Sequence, residues 1–254
     1  MPQQHRVVVV TGAGSGLGAA MAVRLLADGH AVVLAGRRED ALQETARLAE
    51  REGAGGAALV VPTDVTDETG VQALVAAAVQ RFGRLDVMVT NAGTMQHGGA
   101  VDEVSPQDWR STVEVNLTGT FLCVAAAFRQ MRSQHPSGGR IITNGSVSAH
   151  VPRPRSAAYT ATKHAVTGLT RSVELDGREH RIRCTQLDVG NAATELIAAV
   201  GSGALQADGS VRPEPTFDPR HVADLTAHLV GLPLEVSVPF VTMTAGGMPW
   251  VGRG

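Results

Sequence analysis

Tyr159 and Lys163 are the sole tyrosine and the sole lysine of the chain, and they stand four residues apart in Tyr159-Thr160-Ala161-Thr162-Lys163. Every other cationic side chain, histidines aside, is an arginine. A planar guanidinium cannot replace a compact ammonium beside a phenol, so a lysine kept in so arginine-rich a chain points to chemistry. On a helix, residues at i and i+4 share a face. A free phenol ionises near pH ~10. Acid–base work near neutrality asks for a shift of roughly 3 units, about 4 kcal/mol in favour of the phenolate. A neighbouring ammonium acts in that direction.

A second chemical feature opens the chain. Thr11-Gly12-Ala13-Gly14-Ser15-Gly16-Leu17-Gly18 follows the apolar run Val7–Val10 and precedes a helical pattern from Leu17 to Ala27. Gly12 suits a tight turn, Gly16 a close approach of backbone to a pyrophosphate, and Gly18 the packing of helix on sheet. The helix start then offers unpaired N–H groups and a positive dipole end to phosphates.

These residues need a scaffold, and the rest of the sequence supplies its pattern. Further strands are expected at Ala31–Ala35, Ala57–Val61, Leu85–Thr90, Arg140–Thr143, Ile182–Leu187 and Phe240–Met243. Helices are expected at Asp40–Glu52, Val71–Phe82, Pro106–Arg132, Ala157–Glu179 and Val222–Val230. The strands are unbroken apolar runs, as in parallel strands buried on both faces. Regular alternation of strand and helix gives right-handed crossovers and a doubly wound α/β sheet of seven strands. No break in composition divides residues 1–254 into two domains. The Gly- and Pro-broken stretch Gly201–Pro219, within a substrate-loop insertion near 191–219, follows the sixth strand and is placed to serve as a lid.

Composition narrows the function classes. A net charge of −2 argues against nucleic acid or an anionic membrane as partner. The apolar run Phe121–Phe128, among the longest, falls short of the ~20 residues of a membrane span. The N-terminus enters a strand directly, without a signal-peptide pattern. Cys123 and Cys184 form no CxxC and read as free thiols of a cytoplasmic protein. The nine histidines show no metal-ligand spacing. Arginine dominance suggests a GC-rich bacterial source.

The turn spacing T-G-x-x-x-G-x-G, Asn91-Ala92-Gly93, Asn116, Ser146 and Tyr159-x-x-x-Lys163, in this order, resemble the short-chain dehydrogenase/reductase family over nearly the whole length. The resemblance implies a Rossmann fold, a nicotinamide dinucleotide and hydride transfer to or from a small alcohol or carbonyl substrate. It implies that Tyr159 exchanges a proton with the substrate oxygen and that Ser146, thirteen residues earlier, orients that oxygen. Lys163 holds the nicotinamide ribose, and Asn116 distorts its helix and holds a water that links Lys163 to solvent. Gly12, Ser15, Gly16, Leu17, Gly18, Arg37, Asp64, Val65, Asn91, Ala92, Gly93, Ala192 and Thr194 are the other residues placed at the cofactor. Thr90 replaces an asparagine and Val189 a proline of the family pattern.

The end of the second strand selects the cofactor. It carries Gly36-Arg37-Arg38 where an acid would hold the ribose hydroxyls of NAD. By the resemblance, Arg37 takes the 2′-phosphate of NADP, in a charge-assisted contact. Ser15 stands where some NADP-dependent relatives carry a base, so NAD remains the alternative. A cofactor sensor without turnover is a further alternative, disfavoured because a sensor needs only the glycine turn.

Asp64 reads as an adenine contact or a helix cap, and Asp188 as a cap or a pocket acid. His97 and His150 follow strands on the cofactor side, and Asn191 faces the substrate side. Arg153, Arg155, Asp102 and Glu103 read as solvated loop charges. Met248 and Trp250 lie on a tail expected at a subunit contact of a homotetramer or homodimer.

Overall fold

Val8 and Val10 are buried in one apolar cluster and Val9 in another, because β1 (Val7–Thr11) runs between two helical layers. This period of two, apolar on both faces, is why the run reads as continuous. The computed structural model describes residues 5–95, 99–194 and 203–250. It adds β2 (Ala31–Gly36), β3 (Ala58–Pro62), β4 (Val87–Thr90), β5 (Gly139–Asn144) and β6 (Ile182–Gly190). After a short β7–β8 hairpin (Ala204–Leu205 and Val211–Arg212) comes β9 (Phe240–Thr244). The central sheet has seven strands in the order β3-β2-β1-β4-β5-β6-β9, and every neighbouring pair is parallel.

One layer contains α1 (Gly16–Ala27), α2 (Glu39–Arg51) and α7 (Arg220–Gly231), contributing Met21, Leu42 and Val222 to its core. The other contains α3 (Glu68–Phe82), α5 (Gly119–Ser133) and α6 (Ala157–Asp176), contributing Leu74, Met131 and Val173. Strand order reverses between β1 and β4, which opens a crevice at their carboxyl ends, where ligands bind in sheets of this kind. Both cysteines are free and buried, and burial pushes their thiols up to about 12.

The expected helix Pro106–Arg132 is α4 (Pro106–Val113), a π-helical turn over Glu114–Thr118, and then α5. The whole helical run, Pro106–Ser133, is long and apolar enough to cross a membrane by length and composition. It instead covers the sheet, with Cys123, Ala127 and Met131 in the core. α6 stops at Asp176, short of the expected Glu179, because Gly177 and a 3-10 turn at Arg178–His180 end it. β6 runs three residues past the expected Leu187, because pairing with β9 continues to Gly190 and Thr244. The Gly- and Pro-broken stretch Gly201–Pro219 contains the β7–β8 hairpin; residues 201–202 lie outside the described residues. Met248 is buried in its own chain against Val147 and Ala245, so this part of the tail finds cover without a partner.

Candidate active site

The glycine turn is held by its neighbours across the crevice. Thr11 Oγ1 accepts from the backbone N–H groups of Asn91 and Ala92, both at 3.0 Å. The Asn91 side chain donates to the Thr11 carbonyl at 3.0 Å and accepts from Asn144 Nδ2 at 3.0 Å. Asn91 is therefore a brace joining β1, β4 and β5. Gly12 and Gly16 adopt φ of +66° and +52°, and a Cβ on Gly12 would lie 2.9 Å from Asn91 Nδ2. A Cβ on Gly18 would overlap the Gly12 carbonyl oxygen, so only glycine lets α1 start this close to the turn. Thr90, in place of an asparagine, leaves its buried Oγ1 without a hydrogen-bond partner.

This cradle fits a dinucleotide. Ser15 stands at the N-cap of α1 and makes no capping bond through its side chain. The first-turn N–H groups thus remain available to an anion. Leu17 packs on the core below. Thr194 closes the other side: a Cβ on Gly16 would meet its side chain at 3.5 Å. Ala192 is buried and bridged to Phe217.

At the carboxyl end of β2, Arg37 and Arg38 are exposed. Arg37 acts on Asp64, whose carboxyl is held below its ordinary range first by the Thr66 N–H and also by that guanidinium. The cap of α3 is Asp67, which accepts from Thr69 N, so Asp64 does not cap this helix. Val65 is buried against Gly119 at the foot of α5.

On α6, Lys163 is buried; its Nζ donates to the Asn144 carbonyl at 2.6 Å and lies 5.5 Å from the Tyr159 ring centre. Asn116, in the π turn, accepts from Thr94 N at 2.7 Å and donates to Thr94 O at 2.8 Å. Its amide lies 3.5 Å from Thr162 Oγ1, which ties the β4 loop to α6. Gly93 adjoins the same carboxamide: a Cβ there would lie 3.3 Å from Asn116 Oδ1. Ser146 accepts from Ser148 N at 3.1 Å, and its side chain acts to lower the Tyr159 phenol.

The electrostatics differ from the sequence expectation. Burial pushes the Tyr159 phenol up, and the Ser146 hydrogen bond and Arg153 only partly oppose it; Lys163 is not among the groups that shift it. Burial lowers Lys163 to about 8, with Asp188 acting to raise it. In the protein alone, desolvation outweighs ion pairing at both positions.

Several loop residues also need correction. Asp188 caps no helix: it lies within β6, fully buried, bonded to Ser146 N, Gln186 and His150. Arg153 is not a solvated charge, since its Nη2 donates to Asn191 at 2.7 Å and to Glu214 at 2.8 Å. Arg155 is exposed but lines a cavity of about 80 Å³ with Glu103, Asp108, Thr112 and Tyr159. His97 lies outside the described residues. Sequence reasoning missed Asn144 and Glu214. The position of Asn144, two residues before Ser146 at a strand end, was a usable signal; Glu214, in a Pro-rich loop, offered none.

Residues 6–204 match the family model described as short chain dehydrogenase. The chain is 40% identical over 196 residues, 77% of each chain, to the cis-4-hydroxycyclohexanecarboxylate dehydrogenase of Sinomonas cyclohexanicum. Among solved structures, it resembles an alcohol dehydrogenase from Thermococcus sibiricus complexed with 5-hydroxy-NADP, with TM-score 0.82, 26% identity and coverage of 96% of this chain and 98% of the other. It also resembles the 3-ketoacyl-(acyl-carrier-protein) reductase of Brucella melitensis complexed with NADH, with TM-score 0.83, 26% identity and the same coverages. A seven-stranded doubly wound sheet, its glycine cradle and these matches together place the chain in the short-chain dehydrogenase/reductase family, as an oxidoreductase acting on hydroxyl and keto groups.

Proposed function

We propose that this enzyme interconverts a secondary alcohol and its ketone with NADP(H), Tyr159 serving as general acid and base. The observation that carries this reading is the buried Lys163 amine, 5.5 Å from the Tyr159 ring and held by the Asn144 carbonyl at 2.6 Å, with Ser146 acting on the same phenol. The nicotinamide supplies the hydride acceptor or donor when bound. Ser146 orients the substrate oxygen, Tyr159 takes or returns its proton, and Lys163 holds the ribose while Asn144 fixes its ammonium. Asn116 keeps the π turn that lets the chain seat a water beside Lys163. Gly12, Ser15, Gly16, Leu17, Gly18, Asn91, Ala92, Gly93, Ala192 and Thr194 line the dinucleotide, with Asp64 and Val65 at the adenine and Arg37 at the 2′-phosphate.

The substrate is a small or medium carbonyl compound. Within one catalytic domain, the substrate side falls to the insertion near 191–219, of which residues 191–194 and 203–219 are described. Exposed Trp109 on α4 and Phe121 on α5 give the chain an apolar surface suited to a homodimer or homotetramer. Reduced cofactor, mixed with a panel of ketones and followed by nicotinamide absorbance, tests the activity. Tyr159→Phe should lower kcat by about 10²–10⁴-fold while cofactor binding persists; near-normal turnover in that variant would refute the role.

A further inference from the structure

Asp188 is a fully buried carboxylate in β6. Its Oδ1 accepts from the Ser146 backbone N–H at 2.9 Å and from Gln186 Nε2 at 2.8 Å. Its Oδ2 accepts from His150 Nε2 at 2.7 Å. A carboxylate can only accept, so this imidazole carries its proton on Nε2. The turn is built around the acid: a Cβ on Gly145 would overlap Asp188 Oδ1. The His150 side chain is 40% exposed while Asp188 is at 0%, so the pair runs from solvent to the floor of the site. Among the described residues, Asp188 acts on Lys163 and Tyr159 of α6 and bonds His150 in the turn after β5, while Arg153, beyond that turn, acts on Tyr159.

We propose that Asp188 is a positioning residue for this site: its carboxylate seats Ser146 through the backbone N–H and serves as counter-charge to the Lys163–Tyr159 pair, with His150 as its link to solvent. The inference rests on the catalytic reading above. Burial disfavours the Lys163 ammonium, and Asp188 opposes that effect. The same charge raises Tyr159. Asp188 thus keeps the amine cationic and the phenol protonated over a wider range of pH than burial and Arg153 would leave it.

The chain has a single tyrosine and a single lysine, so each gives one resonance after selective 13C labelling. Cofactor-free protein should be titrated by NMR as wild type and as Asp188→Asn. Loss of the carboxylate should lower the Lys163 midpoint from its starting value near 8 by about 1 unit or more, and lower that of Tyr159 as well. The rising limb of the pH–rate profile for alcohol oxidation should move to lower pH with it, because the phenolate then forms earlier. A merely structural role would depress kcat and leave both midpoints in place, and that result overturns the proposal. If Asp188→Asn does not fold, Asp188→Ser gives the answer through the same two resonances: both midpoints should fall, and midpoints that stay in place overturn the proposal. The resonances are read without turnover, so failure here is distinct from failure of Tyr159→Phe to lose activity.

Discussion

Arg37 stands exposed at the end of β2, and no salt bridge to it is seen among the described residues. Its companions set its environment. Arg38 is the N-cap residue of α2, and the dipole there disfavours cations, but Glu39 and Asp40 fill the first turn and offset it. Arg37 is therefore free to face a dianion, while an aspartate at the same position would repel a 2′-phosphate and accept from ribose hydroxyls. A hydrogen bond to a charged group contributes about 1.5–3 kcal/mol, roughly ten- to hundredfold in affinity. Arg37→Asp should lower kcat/KM with NADPH by that factor and make NADH the better substrate. Measuring both cofactors with both proteins checks this, and a wild-type preference for NADH would end the NADP assignment. The Tyr159 and Lys163 positions were legible from residue type and spacing. Their electrostatic state was not, because burial of both groups is set by tertiary packing.

The start of α1 shows what the sequence conveys about an element. The glycine spacing announced the turn, and the structure supplies the reason: Gly18 abuts the Gly12 carbonyl and lies, at its virtual Cβ, 2.6 Å from Asn91 Nδ2. Gly168, exposed within α6, meets nothing within 4 Å. The same substitution should thus act with opposite sign at the two sites. Gly18→Ala forces helix and turn apart and should cost about 1–3 kcal/mol, roughly 2–10 °C in Tm. It should weaken cofactor binding too. Gly168→Ala should stabilise by about 0.5–1 kcal/mol through helix propensity alone. Thermal unfolding of both variants decides it; equal effects would mean that the close approach at Gly18 does not constrain the turn. The strands of the central sheet and the helices over it were readable from their apolar patterns, whereas the two-residue strands of the β7–β8 hairpin were too short to carry one. The π turn was legible only as a distortion around Asn116, since it depends on the Asn116 bonds to Thr94, which come from another element.

At the scale of the molecule, three connections that are remote in sequence are tied by one network. Glu214 accepts from Arg153 after β5, from Asn191 after β6, and from Gln206 in the β7–β8 hairpin at 3.1 Å. Asn191 holds a left-handed φ of +59° and also donates to the Pro215 carbonyl at 3.1 Å. None of this was visible in the sequence, because a Glu among prolines has no periodic signature and its partners are set by tertiary folding. Burial alone would raise the Glu214 carboxyl, but the three donors outweigh it and hold the group at about 2, against an ordinary 4.5. A depressed folded value means that the stabilisation is fully present above pH ~4.5, declines as the unfolded chain takes up the proton, and is gone once pH falls through about 2. Glu214→Gln keeps the shape but removes the charge. It should cost about 1.5–3 kcal/mol near neutral pH, with faster proteolytic nicking of the hairpin. The gap in urea midpoint between wild type and variant should be constant from pH 7 to 5 and narrow below ~4.5. A gap that stays constant down to pH 3 would show that the ionised carboxylate does not hold these connections together.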